Sequence, residues 1–247
     1  MEIKSSKDIP VEPRLKMLVY GKPGTGKTTF AAKSDKVLIA DVESGTTMLG
    51  LHGIECDIVH LTSWADINEL YEVAKSGKYA TIVIDPVGEL LDKLLEHLKL
   101  SGHAQAGGEV LSIQGWGIAK TKFRKAMRNF RDLPCNVIFV AHTAEHKGDD
   151  TMTVRPKLAA SLDEDLCAMV DVVGYLHVTK TKEGYEREMF IEPTDKYYAK
   201  DRFGLIEGGK IASPTFDVVR SLADAKAAFH LAKKADAAVV EFEKDLN

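Results

Sequence analysis

Residues 21–28 read Gly-Lys-Pro-Gly-Thr-Gly-Lys-Thr, filling every fixed position of the pattern GxxxxGK[ST]. At ordinary residue frequencies those positions coincide by chance in roughly one chain per hundred of this length. Gly21, Gly24 and Gly26 let the backbone curl so that successive N–H groups face a phosphate, helped by the positive end of the helix that follows. Pro23 and Thr25 complete the cradle. In this pattern Lys27 reaches the β- and γ-phosphates, the Thr28 hydroxyl holds Mg²⁺ and Thr29 contacts the α-phosphate. The chemistry implied is the binding of ATP with Mg²⁺.

Such a loop needs a carboxylate on the metal side. Asp85 ends the apolar run Tyr79–Asp85 (YATIVID), where it is placed to accept bonds from Mg²⁺-bound water. The next residue, Pro86, takes no proton, so a hydrolytic base must come from elsewhere. Glu43 is the leading candidate. It lies just past the second apolar run, and ligands of open α/β sheets bind beyond the carboxyl ends of the strands. A carboxylate there orients or deprotonates the water that attacks the γ-phosphate. Glu89, four residues after Asp85, is a rival. A different chemistry is suggested by His142-Thr-Ala-Glu145-His146, which matches the HxxEH of one class of zinc protease. That motif needs both histidines on one helix face. Here an apolar strand runs into His142 and Lys147–Asp150 breaks any helix, so zinc chemistry is set aside.

These groups work together only if the fold holds them on one sheet edge. Lys16–Tyr20, Lys36–Val42, Asp57–Leu61, Tyr79–Asp85 and Asn136–Ala141 are short apolar runs that read as strands. Helical patterns lie between them. They are Lys27–Ser34, a segment opened by the capping-box-like Ser63-Trp-Ala-Asp66, Gly88–Leu100, and one with Trp116, Phe123, Met127 and Phe130 on a single face. The alternation predicts an α/β fold whose mostly parallel sheet is covered on both faces. Val172–Thr179 and Tyr185–Glu192 flank Thr181-Lys-Glu-Gly184 and read as an antiparallel hairpin extension. An Ala-rich helix follows from about Ser221. We expect residues 1–220 to form one ATPase domain, with 221–247 a C-terminal helix belonging or appended to it.

The P-loop, Asp41-Val-Glu43 after a strand and the TIVID run together resemble the RecA-like ATPase core. The ordered set YGKPGTGKTTFA, DVESGTTML, WG before a basic helix, VAHT and AKDRFG is similar to the compact RecA-like P-loop nucleotide-binding proteins of bacteriophages, some of which are single-strand annealing recombinases. The resemblance spans roughly residues 12–210. It implies a RecA-like P-loop NTPase fold and ATP hydrolysis with Glu43 polarising the lytic water. It also implies a γ-phosphate-sensing role for His142, where the family often has Gln. Ala199-Lys-Asp-Arg202 resembles the basic motif offered to a neighbour's nucleotide, so Lys200 or Arg202 becomes a candidate trans finger. A solvated basic turn is the other reading of that segment.

The same resemblance implies single-stranded DNA as a partner, contacted by segments 101–115 and 145–161. The second carries Lys147, Arg155 and Lys157 but also Glu145, Asp149 and Asp150. Residues 120–131 hold Lys120, Lys122, Arg124, Lys125, Arg128 and Arg131 and no acid. They form either a phosphate-tracking stripe or a plain solvated helix face. The implied function is an ATPase coupled to single-stranded DNA in phage recombination or replication, with self-association or a phage or host replication protein as further partners. The alternative is a nucleotide-gated protein adaptor or loader with weak or no hydrolysis.

Composition agrees with this class. The chain of 247 residues is 45% hydrophobic and 28% charged with a net charge of −4, so any nucleic-acid contact is local rather than spread over the surface. No apolar run reaches the ~18 residues of a membrane span, and MEIKSSKDIP lacks the hydrophobic region of a secretory signal. Cys56, Cys135 and Cys167 lie far apart, which reads as reduced thiols in a cytoplasmic protein.

Overall fold

A computed structural model describes residues 14–147, 152–159, 161–182 and 184–245, with side chains described as far as Ala232. The N-terminal decapeptide read for a leader, Asp149 and Asp150 of the second candidate DNA segment, and Glu183 of the hairpin turn lie outside the described residues.

Residues Lys16–Tyr20 form the central strand β1. Met17 and Val19 enter one core and Leu18 and Tyr20 the other, because successive side chains point to opposite faces of a sheet. A strand covered on both faces has no solvent side, which is why this run is apolar throughout. The phosphate loop and α1 (Lys27–Ala32) come next, then β2 (Val37–Asp41), β3 (Asp57–His60), α2 (Asp66–Lys75), β4 (Thr81–Asp85), α3 (Val87–Leu98), α4 (Ile113–Arg131) and β5 (Asn136–Ala141). A separate hairpin pairs β6 (Thr143–Lys147) with β7 (Met152–Pro156). After it come α5 (Leu162–Met169), β8 (Val172–Lys180), β9 (Tyr185–Phe190), β10 (Lys200–Asp201), β11 (Lys210–Ala212) and α6 (Phe216–Asp245).

The main sheet runs β11-β9-β8-β1-β5-β4-β2-β3, with β10 also paired to β8. The strands from β8 to β3 in that order are mutually parallel; β9, β10 and β11 add the antiparallel part. On one face α2 to α5 bury Leu70, Leu90, Leu94, Phe123, Phe130 and Leu166 against Leu18, Ile82, Ile84 and Phe139. On the other, Phe30 of α1 and Phe216, Val219 and Ala223 of α6 cover Met17, Ile39, Val83 and Ile138. Each such side chain contributes about 1.5–3 kcal/mol on leaving water. This is the RecA-like P-loop fold, a mostly parallel sheet flanked by helices with an antiparallel extension and a C-terminal helix. Among the described residues no helix is long and apolar enough to cross a membrane.

Three local expectations are corrected. The last helix starts at Phe216 rather than near Ser221, because the Phe216 ring packs edge-on against Phe30, 6.4 Å away, while Thr215 Oγ1 accepts from Val218 N–H at 3.2 Å. Only half of the capping box at Ser63 forms: Asp66 reaches back to the Ser63 N–H at 2.9 Å, but the Ser63 hydroxyl donates to Asp66 itself. The segment 145–161 begins as part of the β6–β7 hairpin instead of an open loop, with Glu145 opposite Val154.

Candidate nucleotide-binding site

The phosphate loop hangs between two strands. Gly21 N–H donates to Ala141 O of β5 at 3.3 Å. On the opposite side β8 crowds the loop: a Cβ on Gly21 would stand 2.5 Å from Leu176 O and 2.8 Å from Thr25 Oγ1. The first glycine of the motif is therefore required by backbone approach. Gly24 and Gly26 are required by conformation, with φ of 77° and 95° in the left-handed region. Lys27 opens α1 and folds back into the loop, where its Nζ donates to Gly21 O at 3.0 Å and Lys22 O at 3.1 Å. Burial lowers its pKa, against the raising influence of the Asp85 and Glu43 carboxylates. The ammonium is thus held ready inside a ring of main chain.

Thr28 and Asp85 meet on the metal side. The Thr28 hydroxyl donates to Asp85 Oδ2 at 2.7 Å, bridging α1 and the end of β4. Burial pushes the Asp85 pKa up to about 6, although the Thr28 hydrogen bond and Lys27 pull it down; Glu43 and Asp41 push it further up. A buried carboxylate beside a hydroxyl, with two further acids nearby and only the Lys27 ammonium to balance them, is a set of hard oxygen donors. That set fits Mg²⁺, which prefers oxygen ligands and usually keeps several waters. Thr28 and Asp85 would hold the ion there, and it would supply neutralisation of phosphate charge.

Glu43 is placed by its neighbour Asp41. The Asp41 carboxylate accepts from Gly45 N–H and Thr46 N–H, each at 3.1 Å, and from the Thr46 hydroxyl at 2.5 Å. Burial alone would raise the Asp41 pKa, but these bonds outweigh it and hold the group low. They fix the tight turn through Ser44, itself at φ 61°, and so aim Glu43 across the sheet edge. Its Oε2 lies 3.2 Å from His142 Nε2. His142 Nδ1 is buried and has no hydrogen-bond partner among the described residues. The tautomer with hydrogen on Nε2 donates to Glu43 and leaves a lone pair, not an N–H, at the buried nitrogen. Glu89, the rival base, sits in the first turn of α3 and shares no hydrogen bond with this group among the described residues.

The structure brings together Gly21 to Thr29, Asp85, Glu43 and His142. It holds Lys200 and Arg202 elsewhere. Lys200 Nζ donates to the carbonyls of Cys167 (2.9 Å), Ala168 (3.0 Å) and Val170 (2.7 Å), and Arg202 to Ala168 O (3.0 Å) and Asp171 (3.3 Å). Both cap the C-terminal end of α5, where cations are favoured by unpaired carbonyls. Arg202 N–H pairs with Asp171 O, whose own N–H pairs with Lys16 at the start of β1, the edge of the sheet opposite the phosphate loop. The HxxEH segment runs from His142 into β6 and not along a helix, so the two histidines have no helical face to share.

Arg187 was missed. It stands on β9 with Nε donating to Thr25 O at 3.3 Å, and it is the group a Cβ on Gly26 would meet, also at 3.3 Å. No sequence signal pointed to it, since a cation in an alternating hairpin strand is ordinary.

The fold and this constellation define an ATP-binding P-loop protein of RecA type. The family described as "AAA domain" matches residues 14–203, and the chain belongs to it. Among solved structures, the chain is similar to a KaiC-like protein of the hyperthermophilic archaeon Pyrococcus horikoshii OT3. The match has 16% identity and a TM-score of 0.43, over 81% of this chain and 89% of that one. A comparison with curated proteins gives no match.

Proposed function

We propose that this chain is a Mg²⁺-dependent ATP hydrolase whose turnover is coupled to single-stranded DNA, as in phage recombination or replication. The carrying observation is the Glu43–His142 contact at 3.2 Å, set on the same sheet edge as Lys27, Thr28 and Asp85. In this reading Glu43 orients and deprotonates the attacking water, and the Lys27 ammonium leaves its own carbonyls for the phosphate oxygens. His142 senses the γ-phosphate. It is also the last residue before β6, and its carbonyl accepts from Lys157 N–H at 2.8 Å just past β7. A change at Glu43 is therefore felt at both ends of the β6–β7 hairpin, whose segment the DNA reading assigns to the strand. Residues 1–220 act as the ATPase domain, and α6, packed through Phe216 and Val219, continues it.

One observation favours a second reading. Arg124 pairs with Asp165 at 2.6 Å, Arg131 with Asp132 at 2.7 Å and Arg155 with Glu164 at 3.0 Å. Cations that the DNA reading counted are thus occupied inside the chain, which suits a nucleotide-gated adaptor for another protein.

An ATPase assay with and without an oligonucleotide, at two salt concentrations, separates them. Stimulation that weakens with salt supports the DNA-coupled enzyme. ATP binding with no response to oligonucleotide supports the adaptor, and no ATP binding with millimolar Mg²⁺ overturns both.

A further inference from the structure

The phosphate loop accounts for a triphosphate and leaves the nucleoside without a partner. Phosphates lying over residues 24–29 with the γ end toward Asp85 and Glu43 must send the nucleoside out past Thr29, away from the metal side. There the structure has a cleft of about 590 Å³ lined by Gly26, Thr29, Lys33, Tyr185, Arg187 and Pro214, within the range of small-molecule sites. Its floor is α1, continuous with the phosphate loop. One wall is the start of β9; the other is the segment after β11. The walls are tied together: Ser213 N–H donates to Arg187 O at 2.9 Å, and Ala212 lies opposite Glu188 in the β9–β11 ladder. The two walls are therefore anchored to the sheet, while His52 and Ile54, ahead of β3, complete the lining.

Two side chains in it have chemistry to spend. Tyr185 is 69% exposed at the mouth, a large ring left in water where a base would cover it. Arg187 carries its guanidinium alongside the loop, between this cleft and a smaller one of about 390 Å³ over Lys22 to Thr25. A planar cation there faces the α-phosphate and ribose side of a bound nucleotide, the geometry in which arginine binds phosphate well.

We propose that the β8–β9 hairpin is the nucleoside clamp of the site: Tyr185 stacks on the base of a nucleoside triphosphate and Arg187 braces its α-phosphate and ribose. This rests on the P-loop reading and adds the half of the ligand that reading does not place.

The test is calorimetric titration of the full chain, with Mg²⁺, by ATP and by inorganic tripolyphosphate, which has the phosphates and no nucleoside. For wild type and Tyr185→Phe both should bind. Tyr185→Ala should lose roughly 5- to 150-fold in ATP affinity, the range of one lost base stack, with tripolyphosphate affinity unchanged. Arg187→Ala should weaken ATP more than tripolyphosphate. In Tyr185→Trp, the added fluorescence should be quenched by ATP and not by tripolyphosphate, which reports on the contact even if the alanine variant folds poorly. ATP affinity within two-fold of wild type in Tyr185→Ala, an equal loss for both ligands, or an unquenched Tyr185→Trp overturns the clamp while leaving the P-loop intact. A wild type that binds neither ligand overturns the P-loop reading and the clamp with it.

Discussion

The Nε2 of His142 and the Oε2 of Glu43 are 3.2 Å apart although the residues stand 99 positions apart in sequence. One follows β5 and the other follows β2, with β4 between these strands in the sheet. The pair therefore spans the strand that carries Asp85. Glu43→Gln keeps the hydrogen bond and the shape but cannot accept a proton, so ATP binding should persist while turnover falls ~100-fold or more. His142→Ala should leave Glu43 unaimed and cost a smaller share of turnover. Single-turnover kinetics beside equilibrium binding measure both. Unchanged hydrolysis in Glu43→Gln moves the base elsewhere.

Lys27→Ala removes the donor shared by the Gly21 and Lys22 carbonyls and, on nucleotide binding, the cation for the phosphates. One charged hydrogen bond is worth about 1.5–3 kcal/mol, so ATP affinity should drop at least ~10-fold. Circular dichroism should be unchanged, because the residue is the first of α1, where alanine suits the helix, and lies in neither hydrophobic core. Retained affinity by calorimetry contradicts the assignment.

Asp85 makes an opposite prediction for stability. Its pKa in the fold, about 6, lies above its ordinary 3.8. Between those values the folded protein binds more protons than the unfolded chain, so this contribution to stability falls as pH rises through the window. The full effect above it is about 3 kcal/mol at most. In magnesium-free buffer Asp85→Asn should be as stable as wild type or more so at neutral pH, and the gap should close below pH about 4. Its Mg²⁺-dependent nucleotide affinity should fall over the same range where its stability is higher. Urea titrations across pH give the first result and calorimetry the second; a variant less stable at neutral pH refutes the first.

Gly21→Ala pushes a methyl group to within 2.5 Å of the Leu176 carbonyl. Neither backbone has room to yield, so a loss of about 1–3 kcal/mol is expected, typical of overpacking. Gly50→Ala, with nothing within 4 Å of the added carbon, is the control and should be nearly neutral. Equal denaturation midpoints for the two variants contradict the claim.

Lys200→Ala uncovers the carbonyls of Cys167, Ala168 and Val170 at the end of α5. We expect a loss of about 1–3 kcal/mol at every protein concentration. A fall in turnover that depends on protein concentration, with the melting temperature unchanged, is instead the mark of a finger reaching into a neighbour's site.

Much of this was legible in the chain. The phosphate loop, Asp85 and the strands β1, β2, β4 and β5 were readable because both cover a need that composition exposes: glycines for a forced backbone, unbroken apolar runs for strands buried on both faces. β3 is instead an exposed strand at the end of the sheet, marked only by Ile58 and Val59. The place of Glu43 on the same sheet edge was legible from its position just past β2. The β6–β7 hairpin was not readable, since β6 (TAEHK) has no large apolar residue and neither strand buries a continuous face. Arg187 and the capping role of Lys200 were hidden for a different reason. Each acts on main-chain carbonyls from a distant part of the sequence, and a carbonyl leaves no trace in residue type.

The place of β1 in the sheet has a consequence for synthesis. Leu18 lies opposite Phe139 on one side and Val173 on the other, so the strand that launches the phosphate loop has both its neighbours far downstream. The most conspicuous segment of the polypeptide thus leaves the ribosome well before its partner strands and stays unshaped until β8 emerges. Such non-local pairing is slow to form. Nucleotide has nothing to grip on a growing chain, and any fragment stopping short of β8 should be blind to it.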